Sequence, residues 1–392
     1  MKPRLHLVAL AVGLATAPAA HAADDMFRFS GFGTVGLAHS TEDRADVPTD
    51  FQNDFGVGAS HGTTGRLDSR LAVQVDATFT DNFSGVLQAV SEYAVTASYR
   101  PEVSMAHVRY RFSPKFSARL GRINAPLYML SEFQRVGYAH PWARPPAEVY
   151  DYLLPMDGIE GLYTINAGDT VVGLQAFYGE IDSERAWVDD FRGLTVTADR
   201  GASSARISHI RGRVGYSSTQ LDALFDAYAR MPVPGLGEVV ERLSPYNVDG
   251  SFSSLGYSYD PGHWFVRAEA VRADYEPSIL GRTTSGYLSA GVRRGAWTPS
   301  FTFAHLEKSG ADAPGALDPV GLLNGAVAQT RASRHSYTAS LRWDVRDSVA
   351  VKLQGSHVRN HAGSYGDLGN FQPGFQPGRS YTLVSATVDF VF

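Results

Sequence analysis

From residue 27 onward, apolar and polar side chains alternate repeatedly, in short runs bounded by Gly, Pro, Asn, Asp and Ser. In "RLDSRLAVQVDATF", Leu67, Ser69, Leu71, Val73, Val75, Ala77 and Phe79 interleave with Arg66, Asp68, Arg70, Ala72, Gln74, Asp76 and Thr78. In "AHVRYRF", Ala106, Val108, Tyr110 and Phe112 oppose His107, Arg109 and Arg111. "RHSYTASLRWDV" and "SVAVKLQGSH" read the same way, and so does the tail: Val384, Ala386, Val388, Phe390 and Phe392 against Ser385, Thr387 and Asp389. Strand side chains point to opposite faces with period 2, so each run predicts a strand with one apolar and one polar face.

The turn residues place strands near 27–39, 63–80, 83–95, 102–112, 116–124, 158–166, 170–181, 192–199, 204–216, 249–260, 263–275, 284–295, 297–307, 331–346, 348–359 and 380–392. That is about 16, an even number. Tight connections such as "FTDNF", "FSPKF", "NAGDT" and "VRDSV" alternate with mostly longer segments at 40–62, 125–157, 182–191, 217–248, 308–330 and 360–379. Aromatics flank the tight turns: Phe79, Phe83, Phe112, Phe116, Tyr259, Trp264, Trp297, Trp343, Phe390 and Phe392. Alternation alone also describes a soluble sandwich. Short turns on one rim, long loops on the other and an aromatic girdle point instead to an all-β transmembrane antiparallel barrel. One segment reads differently: in "TQLDALFDAYARM" (219–231), Leu221, Leu224, Phe225 and Tyr228 have helical spacing, with strand plus loop as the other reading.

Composition narrows the class. Residues 1–22 carry Lys2 and Arg4, an apolar run from Leu5 to Leu14 and an Ala20-His21-Ala22 cleavage site. They read as a secretory signal peptide, leaving 23–392 as one barrel domain. After cleavage 33 basic and 40 acidic residues remain, a net charge of −7, which is no footprint for nucleic acid. The absence of Cys excludes disulfides and thiolate chemistry. No later stretch is apolar over the 18 or so residues a membrane helix needs.

The opening "FRFSGFGTVGLAHS", the "RLGR" of 119–122, the strand count and the terminal "VDFVF" together resemble the Gram-negative outer-membrane porins of the 16-stranded, usually trimeric type. The resemblance covers essentially all of the mature chain. It implies a homotrimer in outer-membrane lipid. It implies that Phe390 and Phe392 form a signal read by the barrel-assembly machinery. It also implies that the loop after strand five, about 125–157, folds inward and narrows the lumen. This loop, "NAPLYMLSEFQRVGYAHPWARPPAEVYDYLLPMD", lacks the Pro-Glu-Phe-Gly-Gly type tip of general porins.

In such a barrel the polar faces line the lumen. Arg66, Arg70, Arg109, Arg111 and Arg119 carry inward parity on neighbouring strands, and Arg122 follows an expected break in alternation at Gly121. The loop contributes Glu132, Glu148, Asp151 and Asp157, with Arg135 and Arg144. A basic wall facing an acidic loop sets up a transverse field, and charge at a constriction sets ion preference. Solvated charges without a selective role fit the same residues. The loop aromatics Tyr128, Phe133, Tyr138, Trp142, Tyr150 and Tyr152 offer either packing against the wall or a stacking surface, the former favoured. His209, Arg211, Arg213 and Lys352 are expected to extend the basic lining on the far side.

Motifs that look catalytic lack their context. "GFGTVG" (31–36) has the dinucleotide spacing but lies inside a strand. "GASHG" (58–62) matches the nucleophile elbow without a strand-to-helix turn. His357 and His361 of "HVRNH" are too far apart along a strand for a helical metal clamp. The expected function is therefore a non-enzymatic, cofactor-free channel passing small hydrophilic solutes and ions. A channel selective for a sugar or small organic anion, and a structural or adhesive barrel, are the alternatives.

Overall fold

The structure, a computed structural model, describes residues 26–392 apart from 54, 94, 152, 153, 319 and 320. The expected leader and Tyr152 lie outside the described residues. Sixteen long strands form one antiparallel sheet. They are β1 (Phe27–Ser40), β2 (Arg70–Thr80), β3 (Phe83–Glu92), β4 (Glu102–Arg111), β5 (Phe116–Asn124), β6 (Pro155–Ala167), β7 (Thr170–Asp182) and β8 (Ala186–Arg200). The second half comprises β9 (Ser203–Tyr216), β10 (Val248–Tyr259), β11 (Trp264–Asp274), β12 (Arg282–Val292), β13 (Trp297–Ser309), β14 (Ala332–Arg346), β15 (Val349–Asn360) and β16 (Tyr381–Val391). Each pairs with its sequence neighbours, and β1 pairs both with β2 and, from Phe32↔Val391 to Ser40↔Leu383, with β16. The sheet is closed, so no edge is left with unpaired backbone groups, the condition for crossing lipid in strands. No helix among the described residues is long and apolar enough to cross a membrane.

Seven turns of two to four residues join the strands at one rim, where both termini also lie. In the two-residue turns Gly168 and Gly201 adopt φ of 61° and 56°, the left-handed conformation that tight hairpins require. The segments of the other rim run from three residues (183–185) to 31 (217–247). The 182–191 segment expected as a loop is mostly strand, because β8 begins at Ala186 and absorbs a register shift between Asp189 and Arg192. The 219–231 stretch is helix α1 (Thr219–Ala229), capped by Ser218, whose hydroxyl accepts from the Leu221 N–H. With α2 (Leu236–Leu243) and α3 (Leu322–Thr330) it buries Phe225, Tyr228, Leu243, Ile279, Leu323 and Val327 in a small core at the long-loop rim.

Outward positions of successive strands expose Leu37, Leu71, Leu87, Leu120, Ile159, Leu194, Ile207, Leu255, Leu288, Phe301 and Leu353. A continuous apolar belt of this size is costly in water and matches a hydrocarbon layer. Aromatic pairs ring the short-turn rim: Phe79–Phe83 at 5.1 Å, Phe112–Phe116 at 5.2 Å, Tyr259–Trp264 at 5.2 Å and Trp297–Trp343 at 5.3 Å. At the seam the glycines of "GFG" gain a role. A Cβ on Gly31 would sit 2.3 Å from the Phe392 ring, and one on Gly33 2.4 Å from the Phe390 ring. The last two aromatics thus lie across the bare backbone of β1.

Candidate pore and its inner loop

The 125–154 segment leaves β5 and lies inside the barrel, bonded to inward side chains on several walls. On the β8–β11 side, Pro126 O accepts from Arg206 Nη2 at 3.0 Å and Leu127 O from Ser254 Oγ at 2.7 Å. The Met129 N–H donates to Glu269 Oε1 at 2.9 Å, and the Tyr150 hydroxyl donates to the other oxygen of the same carboxylate. The β13–β16 side holds the tip. Trp142 Nε1 donates to Thr302 Oγ1 at 2.9 Å, and Gln354 Oε1 accepts the Ala143 N–H at 3.0 Å. Arg342 donates to Tyr138 O and His140 O and lies over the Tyr138 ring, 4.6 Å from its centroid.

The tip's strongest anchor is ionic. Lys352 and Asp389 are both fully buried and 3.0 Å apart. Lys352 Nζ also donates to Gly137 O at 2.5 Å and Trp142 O at 2.9 Å. Asp389 accepts from Thr34 Oγ1 at 2.6 Å and Thr387 Oγ1 at 3.0 Å. A buried ion pair is tolerated when its remaining donors and acceptors are satisfied, as they are here by loop carbonyls and wall hydroxyls. The loop interior packs Tyr128, Leu130, Trp142, Val149 and Tyr150 against Phe177, Phe252 and Tyr287 of the wall. Phe133 alone of the described loop aromatics named above is broadly exposed, at 40%.

The segment divides the expected basic wall. Arg66, Arg70, Arg135 and Arg144 border a cavity of about 1030 Å³ on its long-loop side, together with Glu148 and Asp151. Arg109, Arg111, Arg119 and Glu132 do not border that cavity. Most of these groups are neutralised by a neighbour. Arg119 pairs with Glu132 at 3.0 Å and with the buried Glu160. Glu92 takes both Arg70 (3.7 Å) and Arg135 (2.8 Å). Arg144 meets Asp68 at 2.6 Å, Glu148 meets Arg334 at 3.4 Å, and Arg66 lies over the Tyr93 ring at 4.7 Å. Arg109 bonds the Ser117 hydroxyl at 3.0 Å, and Arg111 has no ion pair among the described residues. The cavity lining carries seven arginines and eight carboxylates, close to balance.

Four placements differ from expectation: Arg66 lies in a turn before β2, Asp157 lies on β6 rather than in the loop, and two concern side-chain parity. Alternation does not break at Gly121 despite its φ of 125°: the register runs on from Leu120↔Ile159 to Arg122↔Asp157. Arg122 therefore shares the outward parity of Leu120. It pairs with Asp157 at 2.6 Å near the long-loop rim, where it borders the cavity mouth. On β9, Ile207 is 53% exposed while Ser208 and Ile210 are buried, so His209, Arg211 and Arg213 face outward and Arg206 inward. The anchors Glu269, Thr302, Gln354 and Arg342 were not singled out by the sequence, since an inward polar residue that holds a loop has the same pattern as one that meets water. Ser60 of "GASHG" lies in a loop, where its hydroxyl bonds Asp46 at 2.5 Å, and "GFGTVG" lies within β1.

Asp151 and Asp367 share one buried site with Lys308, 3.9 Å and 2.5 Å away. Burial, then the Asp367 carboxylate, pushes Asp151 up to about 7. Its neutral form is thus favoured in the folded barrel, and the stability it contributes is lost as pH rises from about 4 to about 7. Asp151→Asn should melt progressively higher than the native chain across that window, read by thermal unfolding in detergent; a constant offset would show that Asp151 is ionised throughout.

No family model matches the chain and no curated protein matches it. Solved structures do. The anion-selective porin from Comamonas acidovorans superposes with a TM-score of 0.57 over 93% of this chain and 99% of its own, at 14% identity. The outer membrane channel DcaP of Acinetobacter baumannii gives 0.55 over 94% and 99%, at 11% identity. Salmonella typhi OmpF, in complex with daunomycin, gives 0.55 over 93% and 97%, at 10% identity. The chain has the fold of the outer-membrane porins.

Proposed function

We propose that this chain is an outer-membrane porin, a water-filled channel for passive diffusion of small hydrophilic solutes and ions. One observation carries the reading: a closed barrel with an apolar exterior and a charged lumen, across which the 125–154 segment is bonded to opposite walls. Barrels of sixteen strands enclose an aqueous lumen rather than a packed core. Purified protein in a planar bilayer should give stepwise currents; a silent bilayer at saturating protein would refute the channel.

Selectivity in this reading comes from the few charges left uncompensated rather than from the arginine wall as a whole. The near balance of the cavity lining supports this, as do the ion pairs of Arg70, Arg119, Arg135 and Arg144. Arg109 and Arg111, on the other side of the loop, lack carboxylate partners among the described residues. Their replacement by Ser should shift the reversal potential in a salt gradient toward cation preference. Removing an ion pair without changing net charge, as in Arg70→Ser/Glu92→Gln, should shift it less, because the pair contributes little field of its own. Equal shifts would return selectivity to the whole wall.

Outer-membrane assembly and a homotrimer belong to the same proposal. The packing of Phe390 and Phe392 on β1 supports a terminal strand that must be recognised and seated last. Deleting Phe392 should lower the yield of heat-modifiable oligomer in the membrane while leaving the conductance of whatever assembles unchanged. Normal yield would remove the assembly role.

A further inference from the structure

The pore reading leaves a cluster of four histidines unused. His305, His335 and His357 stand on the outward face of β13, β14 and β15, and His361 follows β15 at the long-loop rim. His305 and His335 are directly opposite each other across the β13–β14 ladder. His361 is fixed beside them, its N–H donating to Ser333 O at 2.9 Å. His335 Nδ1 and His361 Nε2 lie 3.1 Å apart, and the His305 and His361 ring centres are 6.4 Å apart. His361 Nδ1 is 2.8 Å from Ser333 Oγ. When that nitrogen carries the proton and donates to the hydroxyl, Nε2 turns a lone pair toward His335. A partner on the second ring nitrogen is the usual way a ligating imidazole is oriented.

Two imidazole nitrogens bound to one tetrahedral zinc at about 2.0–2.1 Å lie roughly 3.3 Å apart. The observed spacing is within a few tenths of an ångström of that. We propose that His335 and His361, with His305 within reach as a third imidazole, form a surface site for a borderline-soft divalent ion such as Zn²⁺ or Cu²⁺. Among the described residues no three potential ligands already surround one point. The site is therefore a two-imidazole chelate, completed by water or by a side-chain rotation of His305. Arg359, opposite His335, and Glu307, opposite Ser333, are the charged neighbours on the same face, and the former limits affinity. Ligand and proton compete for the same nitrogens, so binding weakens as pH falls through the histidine range.

The test uses the untagged mature barrel in detergent. Cu²⁺ is followed by electron paramagnetic resonance and Zn²⁺ by calorimetry. One equivalent should bind with nitrogen hyperfine structure. His335→Gln and His361→Gln should each weaken it about tenfold or more. His209→Gln, which removes an outward histidine whose ring bonds Ser253, should leave it unchanged. Unaltered conductance and gel mobility of the variants would show that the barrel is intact. Binding that survives His335→Gln/His361→Gln, or that falls equally in His209→Gln, overturns the proposal.

Discussion

Lys352→Met should both destabilise the barrel and widen the pore. The substitution leaves Asp389, fully buried, facing only two hydroxyl donors. Breaking one partner of a buried pair costs about 3–5 kcal/mol, far more than the net worth of the intact pair. The midpoint of urea unfolding in lipid vesicles should fall accordingly. Two carbonyls of the loop tip, Gly137 and Trp142, also lose the ammonium that ties them to the wall. The tip should then leave the wall part of the time, giving a larger or noisier unitary current. The double variant Lys352→Met/Asp389→Leu separates the two effects. It removes the stranded charge, so stability should largely return, but the tip remains without its anchor and the current should stay altered. Restoration of both would mean that the pair stabilises the wall and does not hold the loop.

Gly137→Ala should act on the same contact from the loop side. A Cβ at this position would lie 2.1 Å from Asp389 Oδ1 and 2.6 Å from Thr34 Oγ1, closer than any real side chain tolerates. The neighbours have little freedom, since both belong to strands at the closing seam. The tip must therefore shift, at an overpacking cost of about 1–3 kcal/mol, with a measurable change in conductance. Thr34→Ala in the Gly137→Ala background should recover part of the native current by making room. Gly62→Ala, where no atom lies within 4 Å, is the neutral control. A native current from Gly137→Ala would show that the tip has slack the geometry does not reveal.

The strands were legible because a barrel wall enforces period 2 over its whole circumference, and every expected strand has its counterpart between β1 and β16. The inside and outside of the wall were legible only where it crosses the apolar belt. Toward the long-loop rim the outer face meets water and headgroups, so polarity ceases to mark the lumen. That is why His209, Arg211 and Arg213 face outward although their polarity suggested otherwise. Gly121 shows the complementary difficulty: the glycine suggested a break, yet despite its positive φ the cross-strand register carries Arg122 onward unaltered. The candidate site was legible as a set of residues but not as a set of pairs. Which carboxylate meets Arg119 or Arg144 depends on the course of a thirty-residue segment through the lumen, and no local pattern specifies that course. Glu160 and Asp68 belong to the wall and its approach, not to the loop that was expected to oppose the arginines.

The seam between β1 and β16 has a consequence for the order of events in time. Thr34, Lys352 and Asp389 come from the first and last two strands, and Gly137 from the middle of the chain. The socket for the loop tip is not complete until residues more than 350 positions apart are brought together. Such distant contacts form slowly, because the entropy of closing the chain is lost before the contacts reward it. A partly formed sheet therefore has an incomplete seat for the loop tip as well as two bare edges. Closing the cylinder completes the seat of the loop tip, so the seam that seals the barrel also finishes its aperture.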